Sequence, residues 1–187
     1  MLEQIVKYRQ LGTLTDGTRV LLRPLVKEDK EKLIELFAPT PPEDLMYLQD
    51  DVTDRELVGS WADNIDYKKV LPLVAVVNER IVGDATLHFR KGPARHIAEV
   101  RIFLSKEFRR RGLGTLMLKT LIDLARRFGL QQLVAEVVAS QVKVIKAFQS
   151  LGFQLRCTLE DYFILPDGET QDVAILILRL VPRKEEF

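Results

Sequence analysis

Three consecutive arginines, Arg109, Arg110 and Arg111, run directly into Gly112-Leu113-Gly114-Thr115. Guanidinium groups donate in planar forks that match phosphate oxygens. Gly112 and Gly114 let the backbone approach an anion with no Cβ in the way. An apolar, strand-like segment from Ile97 to Leu104 precedes the run, and a helical pattern from Thr115 to Phe128 follows it. The first N–H groups of a helix have no internal partner, and the helix dipole places roughly half a positive charge there. These residues in this order predict a site for a pyrophosphate-bearing cofactor. Two familiar phosphate loops do not fit. The chain has no Gly-x-x-x-x-Gly-Lys-Ser/Thr run, and its Gly112 and Gly114 do not complete a Gly-x-Gly-x-x-Gly fingerprint in an early βαβ unit.

Two carboxylates stand out on strand-like segments. Glu136 interrupts the apolar run Leu133–Val138, where an unpaired charge is costly unless it faces a cleft or finds a donor. Glu99 lies on the strand feeding the arginines, and alternation puts it on one face with Arg101, so a salt bridge is its competing reading. Each is a candidate general base, directly or through water, and each also reads as a structural carboxylate.

The elements that must position these groups follow from periodicity. Residues 1–16 read as a short amphipathic lead-in closed by a Thr15-Asp16-Gly17 turn, and Val20–Leu25 as a strand. Lys30–Phe37 is predicted helical, with Leu33, Ile34, Leu36 and Phe37 as its stripe, and Pro39, Pro41 and Pro42 end it. Short helices are expected near Pro42–Leu48 and Asp54–Asp66, then strands Leu71–Val77 and Arg80–Phe89 around an Asn78-Glu79 turn. In the helix after Gly112, Leu113, Met117, Leu121 and Leu124 fall at helical spacing, and Gly129 stands at its C-cap position. Leu133–Val138 reads as a strand and Gln141–Leu151 as a helix. Phe153–Leu165 and Val173–Val181 read as a last hairpin around Pro166-Asp167-Gly168. An antiparallel start followed by strand–helix–strand–helix–strand gives an α/β chain with a mixed sheet and helices on both faces.

Arg109-Arg110-Arg111-Gly112-Leu113-Gly114 resembles the Arg/Gln-x-x-Gly-x-Gly/Ala signature of the GNAT superfamily of acyl-CoA N-acyltransferases. Ser150-Leu151-Gly152-Phe153 resembles the family's closing Gly-Phe element. Val20–Leu25 with Glu28-Asp29 resembles its opening strand and first helix. The likeness spans residues 17–181 in the family's order and implies one GNAT-like domain over residues 1–187. Its fold would be a central mixed sheet flanked by helices, with the strand before the arginines and the strand before the last helix parallel and splayed apart. It further implies acetyl-CoA as co-substrate. The pantetheine arm would pair with backbone at Phe103 and Leu104, and the pyrophosphate would sit on Arg109, Arg110, Arg111, Gly112, Leu113 and Gly114, with the Thr115 hydroxyl in reach. The acceptor implied is a primary amine, on a small molecule or a protein, deprotonated by Glu136 or Glu99. Two positions depart from the family. Phe148 stands where a tyrosine commonly protonates the departing thiolate, and Gln141 where an asparagine is common; Ser140 and Tyr162 are the alternative proton donors. Phe148 keeps a second reading open, an acyl-CoA-binding sensor or interaction domain without catalysis.

Bulk properties narrow the rest. The 187 residues are 47% apolar and 29% charged with a net charge of +1, which points to no nucleic acid or membrane partner. Glu3, Lys7 and Arg9 interrupt any apolar core of a leader, so a cytoplasmic location is expected. Cys157 is the single cysteine and reads as a small packing residue; with only His88 and His96, no metal site is expected. The family resemblance leaves room for a homodimer. Glu43, Asp44, Asp50, Asp51 and Asp54 form an acidic run that suits a cationic acceptor or simply a solvated face.

Overall fold

The computed structural model describes residues 2–165 and 167–182. The predicted lead-in contains a short helix, α1 (Leu2–Val6), and a strand, β1 (Gln10–Thr13). β1 escapes a periodicity reading because its one large apolar side chain, Leu11, is 74% exposed. It pairs antiparallel with β2 (Arg19–Pro24), Gln10 opposite Leu22. The turn between them is the predicted one: the Thr18 N–H donates to Asp16 Oδ1 at 3.0 Å, and Gly17 takes φ 85°.

α2 (Lys30–Phe37) fills its predicted span and buries the predicted stripe of Leu33, Ile34, Leu36 and Phe37. Asp29 anchors its entry. The buried carboxylate accepts from Arg23 at 2.6 and 2.7 Å and from the Val26 N–H at 3.0 Å. Burial pushes this carboxyl up, but the Arg23 and Val26 bonds outweigh it and hold the pKa below its ordinary value. α3 (Pro42–Leu45) and α4 (Arg55–Asp63) are shorter than predicted. Asp54 caps α4 by accepting from the Glu56 and Leu57 N–H groups. α2 and α4 share a core with the next two strands, β3 (Val70–Val77) and β4 (Arg80–Phe89), in which Leu33, Phe37, Val58, Val74 and Ile81 are buried together. Asn78 and Glu79, at φ 47° and 64°, make the tight β3–β4 turn.

β5 (Ile97–Leu104) leads to α5 (Leu113–Arg127), which buries Leu113, Met117, Leu121 and Leu124 and ends at Gly129 with φ 75°. β6 (Gln132–Val138), α6 (Val142–Ser150), β7 (Gln154–Ile164) and β8 (Thr170–Arg179) follow. Among the described residues the strands form one eight-stranded mixed sheet in the order β1-β2-β3-β4-β5-β6-β8-β7, flanked by helices. β5 and β6 are parallel, with Ile97, Ala98 and Glu99 opposite Gln132, Leu133 and Val134. The last hairpin forms, with Pro166 of its expected turn lying outside the described residues, but β8 inserts beside β6, Leu133 opposite Leu178, and leaves β7 at the edge. Cys157, expected in packing, is exposed on β7.

The chain divides into two compact units. One comprises Met1–Leu87 and Arg101–Leu121, the other His88–Val100 and Ile122–Phe187. The arginine–glycine turn lies in the first; Glu99, Glu136, Gln141 and Phe148 lie in the second.

Candidate functional site

In the first unit, Gly112 starts α5: its carbonyl accepts from the Leu116 N–H at 3.1 Å. The N–H groups of Leu113, Gly114 and Thr115 are therefore the first-turn donors that a helix leaves without internal partners. Gly112 takes φ 82° and Arg110 φ 58°, so the chain is left-handed on both sides of Arg111. The Thr15 N–H braces the turn by donating to the Arg111 carbonyl at 3.1 Å. A Cβ on Gly112 would lie 3.3 Å from Thr15 Cγ2, in a conformation that L residues resist. Gly114 is different: a Cβ there meets Leu104 Cδ1 at 3.4 Å, an ordinary contact, so packing alone admits a small side chain.

The three arginines have separate situations. Arg109 forms an ion pair with Asp44 at 2.8 Å, donates from Nε to the Leu104 carbonyl at 3.2 Å and lies 6.0 Å from the centre of the Phe103 ring. Arg111 pairs with Asp16 at 2.5 Å, donates to Thr18 Oγ1 at 2.8 Å and stacks 4.4 Å over the Phe108 ring. Arg110 is exposed and free of ion pairs among the described residues, and Thr115 is also exposed. A helix N-terminus, a left-handed glycine and an exposed guanidinium suit an anion such as pyrophosphate. Phe103 and Leu104 are half-buried at the end of β5.

In the second unit, Glu99 and Glu136 are half-buried and both are engaged with neighbouring groups. Glu99 lies opposite Val134, which is two residues before Glu136, so the parallel register puts both carboxylates on one face of β5 and β6. Gln141 caps α6 through its backbone, its carbonyl accepting from the Ile145 N–H at 3.1 Å, with no side-chain cap bond. Phe148 is 3% exposed and packs edge-on against Phe153 at 5.0 Å between ring centres.

The acidic run is mostly committed to the protein itself. Asp44 pairs with Arg109 and Asp50 with Arg101 at 3.4 Å. Asp51 accepts from the Thr53 N–H, and Asp54 caps α4. A carboxyl that the sequence reading passed over is Asp84 on β4, only 9% exposed, which burial pushes up to about 7. The signal was available, since Asp84 interrupts the apolar run Ile81-Val82-Gly83-Ala85 as Glu136 interrupts its own. Among the described residues no cluster of three or more His, Cys, Asp or Glu is arranged to hold a metal ion. No helix there is long and apolar enough to cross a membrane.

Comparison with known proteins places this geometry. The model of the acetyltransferase (GNAT) family matches residues 30–153. An acetyltransferase of Pseudomonas aeruginosa is 28% identical over 151 residues, covering 75% of this chain and 78% of that protein. A ribosomal protein bS18-alanine N-acetyltransferase of Escherichia coli is 34% identical over 77 residues, 41% of this chain and 51% of its own length. Among solved structures, a putative acetyltransferase of Salmonella typhimurium with its cofactor acetyl-CoA superposes with a TM-score of 0.72 at 22% identity, covering 89% of this chain and 96% of that one. Mycobacterium smegmatis RimJ in complex with CoA-disulfide gives 0.75 at 17% identity, covering 91% and 86%. With the family model covering the segment from α2 to the end of α6, the chain belongs to the acetyltransferase (GNAT) family.

Proposed function

We propose that this protein transfers the acetyl group of acetyl-CoA to a primary amine. The observation that carries the reading is the turn Arg109–Thr115, where a left-handed Gly112 opens α5 beside an exposed Arg110. In it, the Leu113, Gly114 and Thr115 N–H groups and the Arg110 guanidinium hold the pyrophosphate, while Arg109 and Arg111 join by exchanging their present carboxylate partners. Backbone at Phe103 and Leu104 receives the pantetheine amides, the Leu104 carbonyl sharing or giving up its bond from Arg109 Nε. Acetyl-CoA supplies an activated acyl group, and only a neutral amine attacks it. Glu136 takes the ammonium proton, directly or through a water, with Glu99 as the alternative carboxylate on the same face. Gln141 donates near the start of α6. Phe148 gives no proton, so the thiolate departs unaided or with a proton from water; a thiol pKa of ~8.5 makes that tolerable.

A second reading is favoured by Phe148, whose ring is committed to Phe153: a domain that binds acyl-CoA and does not turn it over. Thiol release with a panel of primary amines separates the two. The transferase reading expects amine-dependent release of free CoA thiol with one acetylated amine per thiol. Tight acetyl-CoA binding with no thiol release from any amine would favour the sensor.

A further inference from the structure

Between α2 and α4 the chain crosses the first unit as a strap. From Ala38 to Asp51 no residue is buried, whereas Phe37 and Val52 at its two ends are 4% and 5% exposed and belong to one core cluster. The backbone bonds along it are short in range. The N–H groups of Asp44, Leu45, Tyr47 and Leu48 all donate to carbonyls three or four residues back. Leu45 and Leu48 rest half-buried against the core. Two ion pairs tie the strap to the strand and turn beside it, Asp50 with Arg101 and Asp44 with Arg109. A segment with anchored ends and few buried contacts opens at low cost.

Asp44 holds Arg109 imperfectly. Asp44 Oδ2 lies 2.8 Å from the guanidinium, yet that oxygen is closed to solvent and accepts no aligned hydrogen bond. Arg111 is held differently. Its carboxylate, Asp16, sits in the β1–β2 turn, which the Thr15 N–H braces against the Arg111 carbonyl, and Thr18 and the Phe108 ring hold the same guanidinium. Exchange at Arg111 moves a side chain; exchange at Arg109 frees one of the ties of the strap. We infer that Asp44 is a built-in competitor for the phosphate turn, occupying Arg109 until the pyrophosphate of acetyl-CoA displaces it and loosens the strap. The inference rests on the binding of acetyl-CoA at this turn proposed above and adds a regulation to that site. A phosphate offers the guanidinium aligned oxygens that Asp44 does not, so the exchange runs toward the cofactor. The cofactor binds tightly only where the strap has let go, so its apparent affinity is lowered by the closed fraction.

The test uses the full chain. Acetyl-CoA is titrated calorimetrically into the wild type, Asp44→Asn and Asp51→Asn. Asp51 lies on the same strap but bonds Thr53 rather than a cation, so its variant removes an equal charge without touching Arg109. Asp44→Asn is expected to tighten binding on the order of tenfold, as for a site open about a tenth of the time. Asp51→Asn is expected to change it by less than about twofold, because exposed charges at a distance are screened. Hydrogen exchange at the Tyr47 and Leu48 amides reads the strap itself. Acetyl-CoA or inorganic pyrophosphate should speed it in the wild type, and Asp44→Asn should show the faster rate with no ligand. Equal tightening in the two variants overturns the inference, as does exchange that is unchanged or slower with ligand. Acetyl-CoA affinity that is the same in wild type and Asp44→Asn removes the competitor and leaves the transferase reading standing. If pyrophosphate speeds exchange and acetyl-CoA does not bind, Asp44 stands as an anion-released tie and the transferase reading falls.

Discussion

At the residue scale, three carboxyls have different environments. Glu136 and Glu99 share a face and are already engaged. If Glu136 takes the ammonium proton, Glu136→Gln should lower kcat/KM on the order of 10²–10⁴-fold at neutral pH, with partial recovery at higher pH where free amine is more abundant. Glu99→Gln is the matched control; loss in that variant alone would move the role to Glu99, and wild-type rates in both would leave the base to solvent. Asp84 makes a stability prediction of its own. Its folded pKa is raised to about 7 from 3.8, so the folded state holds a proton that the unfolded chain has lost between those values. Wild-type stability should therefore fall as pH rises from about 4 to about 7 and level off above, by up to roughly 4 kcal/mol. Urea unfolding at several pH values reads this slope, and Asp84→Asn should flatten it. An identical slope in the variant would mean that the carboxyl is not desolvated. Glu136 was readable in the sequence as a lone charge in an apolar strand. Asp84 gives the same signal, but that its Oδ1 is buried without a hydrogen-bond partner appears only in the folded chain. The acidic run shows the converse, since sequence distance hides the pairing of Asp44 with Arg109.

At the element scale, α2 depends on the Arg23–Asp29 pair, which ties the end of β2 to the helix entry. Asp29→Ala would strand a guanidinium whose side chain is 13% exposed, and should cost about 3–5 kcal/mol. The wild-type Asp29 pKa is depressed, so its contribution is present above pH 3.8 and is lost as pH falls through the lower folded value. Denaturant melts of both proteins at pH 7 and in acid test this, the gap between them narrowing in acid; an equal gap at both would assign the loss to packing. Helices with a clean stripe were read almost to the residue, as at Lys30–Phe37. β1 was not, because Gln10-Leu11-Gly12-Thr13 buries no large side chain and is held by pairing with β2. The order of the last hairpin was equally hidden, because either of its apolar strands satisfies the same alternation and only the ladder Gln132–Val138 to Val173–Arg179 decides it.

At the scale of the whole molecule, the arginine–glycine turn lies in the first unit and the Glu99–Glu136 pair in the second. The turn was legible because its requirement is local: basic donors, glycines and a helix start in immediate succession. What the turn does with its arginines was not, since Asp16, Thr18 and Asp44 reach them from distant parts of the chain. In the proposed function acetyl-CoA binds at this turn, where Gly112 takes φ 82° and its carbonyl accepts from the Leu116 N–H at the start of α5. Calorimetric titration of acetyl-CoA into the wild type and into Gly112→Val tests it, with thermal melts showing that the variant is folded. The expected result is saturable one-to-one binding to the wild type and no measurable binding to the folded variant. Equal affinity in the two proteins would contradict the assignment and place the cofactor elsewhere on the chain.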